Sequence, residues 1–456
     1  MPVSPARAAA FDILLRVERE ASYASELLHA DAFADLTTAD HALTTEIVMG
    51  VLRWRGRLDS EIAEASSQAL AKLDAEVLMA LRIGLYQLRW LDRVPARAAI
   101  HESVELTKRA RKRSAAPFVN AVLRKLTRRS THRQGTSNGD ESAEKMAREF
   151  SHPVWMVERW IREYGADVTR RICEHNQSVP WTAIRLRRFG VDDDLKKEGL
   201  ETRPGALLAA ARVVIAGDIT STAAFRDGVV VIQDEASQLV AALVGSIESD
   251  ADKQNRILDC CAAPGGKTLA IADRNPHAEI TAVELHPHRA RLLEKLLQAR
   301  QANNGPTIRV MTADAAQLPL ANQYDRVLAD VPCSGTGTLA RNPEIKWRLT
   351  RADLDELAGR QCAILRSAMA RLTPGGRLIY STCSLEREEN ENVVEKVLAS
   401  EKNFRLVDCK AELARLKAEG ELTWPDPVSL TRGPFLRTLP GIHPCDGFFA
   451  AMIERN

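Results

Sequence analysis

The sequence predicts a multidomain protein with an all-helical N-terminal domain, a small α+β domain and a C-terminal α/β domain. Residues 1–130 carry apolar residues at helical spacing almost throughout, with few strand signals. Residues 143–232 begin with helix-like segments and continue with short runs that are typical of strands. Over residues 233–456, strand-like apolar runs alternate with helix-like segments, which favours a parallel sheet covered by helices.

Residues 131–142 form the predicted linker, because Ser, Thr, Gly and Asn are frequent there. The length of 456 residues and a hydrophobic content of 45% suit several ordinary globular domains. The first 17 residues carry charges at helical spacing instead of the apolar core of a signal peptide, and no apolar run is long enough for a membrane span. The eight cysteines include no Cys-x-x-Cys pair, so we expect reduced thiols, no metal site and a cytoplasmic protein.

A block of basic residues lies near the end of the helical domain and contains no acidic residue. Its nine members are Lys108, Arg109, Arg111, Lys112, Arg113, Arg124, Lys125, Arg128 and Arg129. A phosphate backbone is the natural partner of such a one-sided block, because neutralised phosphates release counterions. The alternative is an ordinary solvated helix face, although such faces usually mix charges of both signs.

Two cysteines follow strand-like apolar runs and are themselves followed by small or polar residues. Cys333 lies in the segment Asp-Val-Pro-Cys-Ser-Gly-Thr-Gly, and Cys383 lies in Tyr-Ser-Thr-Cys-Ser. A thiol at the open end of a rigid strand can become a nucleophile when backbone donors and nearby charge lower its pKa. Because free cysteine is also a common buried residue, packing is the alternative interpretation for either one.

A loop rich in small residues follows a third strand-like run. Residues 257–268 read Ile-Leu-Asp-Cys-Cys-Ala-Ala-Pro-Gly-Gly-Lys-Thr and lead into a helix-like segment. Such a turn brings backbone N–H groups and a helix N-terminus close to a ligand, which predicts a nucleotide site. A phosphate-binding P-loop is excluded, because the position that requires its first glycine holds Cys261.

Acidic residues close the strand-like runs that follow this loop. Glu284 ends the next run, at about the separation at which dinucleotide-binding folds place an acidic residue on the ribose. Asp314 follows the run after that, and Asp330 ends the fourth. Open α/β sheets bind ligands at the carboxyl ends of their strands, so the ordered series predicts a binding edge.

These motifs together resemble the S-adenosylmethionine-dependent RNA cytosine-C5 methyltransferases of the Sun/Nop family. The resemblance spans roughly residues 233–449, from Gln-Asp-Glu-Ala-Ser-Gln to Asp-Gly-Phe-Phe, and implies a Rossmann-like methyltransferase domain over residues 233–456. Residues 1–130 resemble the NusB-like RNA-binding fold through segments 50–54 and 118–124. This added domain points to the branch of ribosomal RNA small-subunit methyltransferase B.

The resemblance also implies the cofactor, the site residues and the partner. S-adenosylmethionine would be held by Cys261, Ala262, Ala263, Pro264, Gly265, Gly266, Lys267, Glu284, Asp314 and Asp330. Cys383 would attack cytosine C6, Cys333 would help the later elimination, and Asp330 would bond the ring near N3. The partner would be ribosomal RNA with a single-stranded or flipped-out cytosine, bound by a monomer without membrane contact. Residues 143–232 lie where the family carries an RNA-binding subdomain, but Arg187 and Arg188 stand where an asparagine is usual.

Other functions remain open from the sequence. The DNA methyltransferases use a cysteine that follows proline, as Cys333 does, for the attack. The substrate could instead be transfer RNA or large-subunit ribosomal RNA, since only the helical domain favours the small subunit. A catalytically silent assembly factor is opposed by the presence of both cysteines. A methyltransferase for exocyclic amines is opposed because Asp330–Cys333 lacks the Pro-Pro-aromatic turn of those enzymes.

Overall fold

The computed structural model describes residues 3–20, 22–128, 142–247, 255–300, 306–319 and 321–456. Almost all of the predicted linker and Arg129 of the basic block therefore lie outside the described residues. The chain forms two compact units. Unit 1 comprises Met1–Val179 with Leu339–Arg348, and unit 2 comprises Pro180–Thr338 with Leu349–Asn456.

Unit 1 is helical throughout its described residues, as the sequence predicts. Its first nine helices are α1 (Pro5–Glu20), α2 (Ala24–Leu28), α3 (Thr38–Ser66), α4 (Ala75–Trp90), α5 (Ala96–Arg109), α6 (Ala116–Arg128), α7 (Ala143–Glu149), α8 (Val154–Tyr164) and α9 (Ala166–Gln177). One face of each of the longer helices α1, α3, α4 and α6 is apolar, and their side chains form a common buried core that includes Phe11, Leu58, Leu81 and Leu123.

The division of the chain differs from the predicted boundary at residue 143. Helices α7 and α9 both pack on α3, so residues 143–179 belong to unit 1 and not with the strands that follow them. The physical reason is the apolar face of helices α7, α8 and α9, where Met146, Trp160 and Ile172 are buried. Only the strand-containing part of the predicted 143–232 domain belongs to unit 2.

The segment Leu339–Arg348 also belongs to unit 1, although it follows a strand of unit 2 in the chain. Lys346 is 1% exposed, and its Nζ atom donates to the carbonyl oxygens of Arg53 and Ser151 at 3.0 Å each. The Trp347 indole N–H donates to the Leu52 carbonyl at 2.7 Å. Burial lowers the pKa of Lys346 to about 7, because little solvent is available to stabilise an ammonium there.

Unit 2 contains every strand of the described chain and the remaining helices except α15. The strands are β1 (Ala183–Leu186), β2 (Glu201–Pro204), β3 (Ala211–Ala216), β4 (Val230–Ile232), β5 (Arg256–Asp259), β6 (Glu279–Glu284), β7 (Thr307–Thr312), β8 (Tyr324–Asp330), β9 (Leu372–Thr382), β10 (Phe404–Val407), β11 (Thr431–Arg432), β12 (Phe435–Arg437) and β13 (Phe449–Arg455). The helices are α10 (Asp192–Lys197), α11 (Ala223–Arg226), α12 (Glu235–Val244), α13 (Gly266–Arg274), α14 (Pro287–Arg300), α15 (Ile345–Arg348, in unit 1), α16 (Arg351–Met369), α17 (Glu391–Leu398) and α18 (Cys409–Ala418). No helix in the described part of the chain combines the length and apolarity that a membrane crossing requires.

The first sheet of unit 2 is antiparallel and has the order β2-β3-β1-β4. Two arginines, one in β1 and one directly after it, form ion pairs within unit 2. Arg185 and Arg187 both form ion pairs with Asp273 on α13, at 2.7 and 2.6 Å. Arg187 therefore neutralises a carboxylate on the helix that follows the small-residue loop.

The second sheet carries the candidate site. Its order is β11-β12-β13-β9-β8-β5-β6-β7, and β10 pairs with β13. Strands β9, β8, β5, β6 and β7 are parallel, and residues such as Leu258, Val327 and Leu378 are fully buried, as expected for strands covered on both faces. The chain moves outward through β6 and β7 on one side of β5 and through β8 and β9 on the other. This switch point places a ligand crevice at the carboxyl ends of the central strands.

Candidate active site

The small-residue loop connects β5 to α13 at this edge. Gly265 has a φ of +109°, and a Cβ atom there would lie 2.7 Å from Leu293, so the turn requires glycine. Helix α13 begins at Gly266 and presents the free N–H groups of its first turn. Below the loop, the Thr268 hydroxyl donates to Asp259 at 2.7 Å, and burial raises the pKa of Asp259 to about 6.

The three predicted acids lie at the carboxyl ends of their strands. Glu284 is buried and accepts the His286 backbone N–H at 3.0 Å. Asp314, just beyond β7, accepts the Ala316 N–H at 3.0 Å. Each contact engages one carboxylate oxygen. Acceptors of this kind match the hydroxyl and amine donors of a nucleoside, so the residues present fit the nucleoside part of S-adenosylmethionine.

The third acid, Asp330, forms an ion pair with Lys267 in the first turn of α13. Lys267 Nζ lies 2.8 Å from one carboxylate oxygen of Asp330, and the Ser381 hydroxyl donates to the other at 2.7 Å. Lys267 Nζ also lies 5.1 Å from the centre of the Phe448 ring. Burial disfavours the ammonium, but the Asp330 carboxylate outweighs this effect and raises the pKa of Lys267, with a smaller contribution from Cys383.

The two predicted cysteines meet beyond the ends of β8 and β9. Their sulfur atoms are 3.3 Å apart. Parallel pairing of the two strands aligns Asp330 with Ser381, and the Gly337 N–H donates to the Cys383 carbonyl at 2.9 Å, so both segments are held by backbone contacts. The hydrogen bond with Cys383 and burial raise the pKa of Cys333, which is opposite to the lowering expected for a nucleophile.

A buried carboxylate behind the cysteines was not predicted. Glu389 is 0% exposed and accepts the hydroxyls of Ser334 and Ser384 at 2.5 Å each on the same oxygen. Its other oxygen accepts the Ser334 N–H at 2.8 Å and the Gln361 side-chain amide at 2.9 Å. The sequence offers one weak signal for it, namely an acidic run at the start of a helix beside the second cysteine motif.

The Asp-Gly-Phe segment near the C-terminus closes the site from another side. The Gly447 N–H donates to the Gly337 carbonyl at 2.8 Å, and a Cβ atom on Gly337 would lie 2.1 Å from the Gly447 oxygen. The Asp446 N–H donates to Asp234 at 3.2 Å, which joins the first and last segments of the family resemblance. These contacts explain why small residues follow Cys333.

The predicted residues fall into two groups along the edge of the sheet. Cys333, Cys383, Asp330 and Lys267 lie together at β8 and β9, whereas Glu284 and Asp314 follow β6 and β7. Cys261 belongs to the loop, and burial raises its pKa. The other cysteines, Cys173, Cys260, Cys362, Cys409 and Cys445, are buried and lie in packing positions.

The basic block of unit 1 is less one-sided in the structure than in the sequence. Three of its members form ion pairs with acids: Lys108 with Glu105 at 2.7 Å, Arg109 with Asp12 at 2.7 Å and Lys112 with Asp74 at 3.0 Å. Four exposed arginines of the block have no acidic partner among the described residues, namely Arg111, Arg113, Arg124 and Arg128.

Comparisons with known proteins find matches for both the N-terminal helical part and the C-terminal α/β part of the chain. Residues 248–454 match the family described as 16S rRNA methyltransferase RsmB/F, and residues 4–128 match the NusB family. The probable ribosomal RNA small subunit methyltransferase B of Bacillus subtilis strain 168 is 32% identical, with 100% of both chains covered. The corresponding Synechocystis protein is 31% identical over 99% of both chains.

The fold has a solved counterpart of the same extent. The crystal structure of PH0851 matches with a TM-score of 0.79 over 100% of both chains, at 22% identity, and shows the likeness of fold alone. The full-length relatives and the matched domains together establish the family. The chain belongs to the 16S rRNA methyltransferase RsmB/F family, in the branch of ribosomal RNA small subunit methyltransferase B, which adds a NusB domain.

Proposed function

We propose that the protein methylates C5 of a specific cytosine in small-subunit ribosomal RNA, using S-adenosylmethionine and a covalent cysteine–C6 intermediate. The observation that carries this proposal is the pair of sulfur atoms 3.3 Å apart, beside the Lys267–Asp330 ion pair at the carboxyl edge of the sheet. A methyltransferase that acts on an exocyclic amine needs no thiol. The names of the full-length relatives support the small subunit as the substrate.

The loop and the strand-end acids are the groups proposed to hold the cofactor. When bound, S-adenosylmethionine supplies an electrophilic methyl group. Glu284 would accept the ribose hydroxyls, Asp314 would accept from the base, and the first turn of α13 would offer its N–H groups. Lys267 and Asp330 lie between this part of the edge and the thiols.

The cysteines divide the covalent chemistry. C5 of cytosine is a weak nucleophile, and addition of a thiolate to C6 makes it enamine-like. We assign the attack to Cys383. The raised pKa of Cys333 supports this assignment, because it favours the neutral thiol form of Cys333 over the nucleophilic thiolate. In this proposal Cys333 assists loss of the C5 proton and release of the thiol in the last step.

Lys267 and Asp330 have complementary roles in this proposal. The ammonium of Lys267 adjoins Asp330 and contributes positive charge close to the Cys383 thiolate. Asp330 is anchored on both carboxylate oxygens, so it presents a fixed hydrogen-bonding group to the ring near N3. Pre-positioned charges of this kind stabilise developing charge without reorganisation.

The RNA must present its cytosine outside a helix. C5 and C6 lie within the base stack of a duplex, so the target is single-stranded or flipped out. The exposed arginines Arg111, Arg113, Arg124 and Arg128 are the proposed phosphate contacts in the helical unit. We propose that the protein acts as a monomer.

Methyl transfer from tritiated S-adenosylmethionine to purified RNA tests this function. We expect labelling of small-subunit ribosomal RNA from a strain that lacks the gene, and bisulfite sequencing should assign the label to one cytosine. The Cys333→Ala/Cys383→Ala protein is the matched control and should transfer no label. Label on transfer RNA or large-subunit RNA alone would refute the substrate, and label on an exocyclic amine would refute the chemistry.

A further inference from the structure

Each cysteine of the site is followed in the chain by a serine, and both serines converge on one carboxylate. The hydroxyls of Ser334 and Ser384 donate to the same oxygen of Glu389, and they lie 3.0 Å from each other. The two cysteine segments are 50 residues apart in sequence. Glu389 therefore joins the residue after Cys333 to the residue after Cys383 through a single side chain.

The carboxylate is itself held rigidly. Its second oxygen accepts the Ser334 N–H and the Gln361 amide, and the Tyr380 hydroxyl donates to the Glu389 backbone carbonyl at 2.6 Å. The residue is fully buried, so it is screened from solvent in this structure. Buried carboxylates with a full set of donors form strong, well-aligned hydrogen bonds.

We propose that Glu389 is a positioning residue that sets the separation of the Cys333 and Cys383 thiols. The effect of Glu389 on catalysis rests on the proposed function, whereas its role in setting the separation of the thiols does not. Four donors converge on two oxygens, and only a carboxylate accepts at both positions. An amide in its place would offer one acceptor and would direct an N–H₂ group at donors, which leaves the serines and the cysteines attached to them without a common anchor.

Oxidation of the two thiols to a disulfide tests their relative position without RNA or cofactor. Diamide accepts two electrons and two protons from a pair of thiols, leaving a sulfur–sulfur bond and its own hydrazine form. The wild-type protein should form the Cys333–Cys383 disulfide rapidly, as measured by mass spectrometry of the linked peptides. Glu389→Gln should form it about 10- to 100-fold more slowly, since small displacements reduce the effective concentration of neighbouring groups steeply.

The matched control is Glu395→Gln, which makes the same change at an exposed position on α17. It should link its thiols at the wild-type rate. If Glu389→Gln does not fold, Ser334→Ala/Ser384→Ala takes its place, because it removes the two hydroxyl donors and keeps the carboxylate. A wild-type linking rate in the folded variant would overturn the proposal.

Methyl transfer adds a second readout that a general loss of stability does not produce. Glu389→Gln should lower kcat by about 10- to 100-fold and leave the affinity for S-adenosylmethionine unchanged, because Glu284 and the loop are untouched. Slower linking in Glu389→Gln, together with a wild-type protein that transfers no methyl group, would preserve the positioning role and refute the proposed function. Normal linking with lost methyl transfer would refute the positioning role alone.

Discussion

Cys333 and Cys383 lie at the ends of adjacent parallel strands, and their sulfur atoms are 3.3 Å apart. At this distance one sulfur can hydrogen-bond to the other, so the two side chains are in direct contact. The hydrogen bond with Cys383 and burial raise the pKa of Cys333. The raised pKa favours the thiol form of Cys333, which suits the proton-handling role proposed for it.

The first prediction separates the two cysteines. Cys383→Ala should form no covalent complex with RNA, because the attack on C6 is lost. Cys333→Ala should accumulate a protein–RNA conjugate that survives denaturing electrophoresis, because release of the thiol is impaired. Cys409→Ala, which alters a buried cysteine of α18, is the control and should behave as wild type. The reverse pattern in the single mutants would make Cys333 the nucleophile.

The second prediction concerns cofactor binding. Glu284→Ala should weaken S-adenosylmethionine binding about 10- to 150-fold, since a hydrogen bond to a charged acceptor contributes roughly 1.5 to 3 kcal/mol. Isothermal titration calorimetry measures the change. Glu279→Ala alters an acid at the opposite end of the same strand and should leave the affinity unchanged. Equal affinities for the two variants would remove Glu284 from the site.

The third prediction concerns the arginines of the basic block that have no acidic partner among the described residues. Replacing Arg111, Arg113 and Arg128 by Gln should weaken RNA binding and flatten its dependence on salt, by up to about 0.7 in slope per lost single-strand contact. A filter-binding titration at several salt concentrations measures the slope.

The control for this prediction is the paired set of Lys108, Arg109 and Lys112, whose charges already have acidic partners. Replacing them by Gln should change the slope less. If both triple variants keep the wild-type slope, the block does not contact RNA.

The fourth prediction concerns the buried Lys346 and the pH dependence of stability. Its pKa is about 7 in the folded protein and 10.5 ordinarily. Below pH 7 both states carry the proton, and above it the folded state is neutral while the unfolded state stays charged. The stability associated with this group is thus present at high pH and is lost as the pH falls through about 7.

Lys346→Met removes this dependence. The free energy of unfolding of the wild type, relative to that of the variant, should rise by about 2 kcal/mol from about pH 7 to about pH 9. Urea denaturation at each pH measures the difference. Lys396→Met, at an exposed position of α17, should show no such change relative to wild type. A constant difference for Lys346→Met would mean that the lysine keeps its charge in the fold.

The sequence predicted those features that depend on local pattern. The apolar runs that end at Asp259, Glu284 and Asp330 are strands β5, β6 and β8, because parallel strands are buried on both faces and read as continuous apolar segments. The order of acids along the chain then follows the carboxyl edge of the sheet, since every strand of this part runs in the same direction.

Features that depend on distant partners could not be predicted. Three of the four donors to the Glu389 carboxylate come from residues 55 and 28 positions away, and no local pattern distinguishes Glu389 from Glu388. No local pattern indicates that Arg187 pairs with Asp273, which is 86 positions away. The basic block appeared wholly one-sided because Asp12 and Asp74 lie far from it in the chain.

The chain enters the helical unit twice, and the second entry follows immediately after the loop that carries Cys333. The helical unit is therefore encoded by two separate stretches of the gene. A chimera that exchanged residues 1–179 alone would keep the native Lys346 and Trp347 but supply them with foreign carbonyl acceptors. Recombination between relatives should preserve function when residues 339–348 and the N-terminal stretch come from the same parent. The two segments are therefore expected to evolve together.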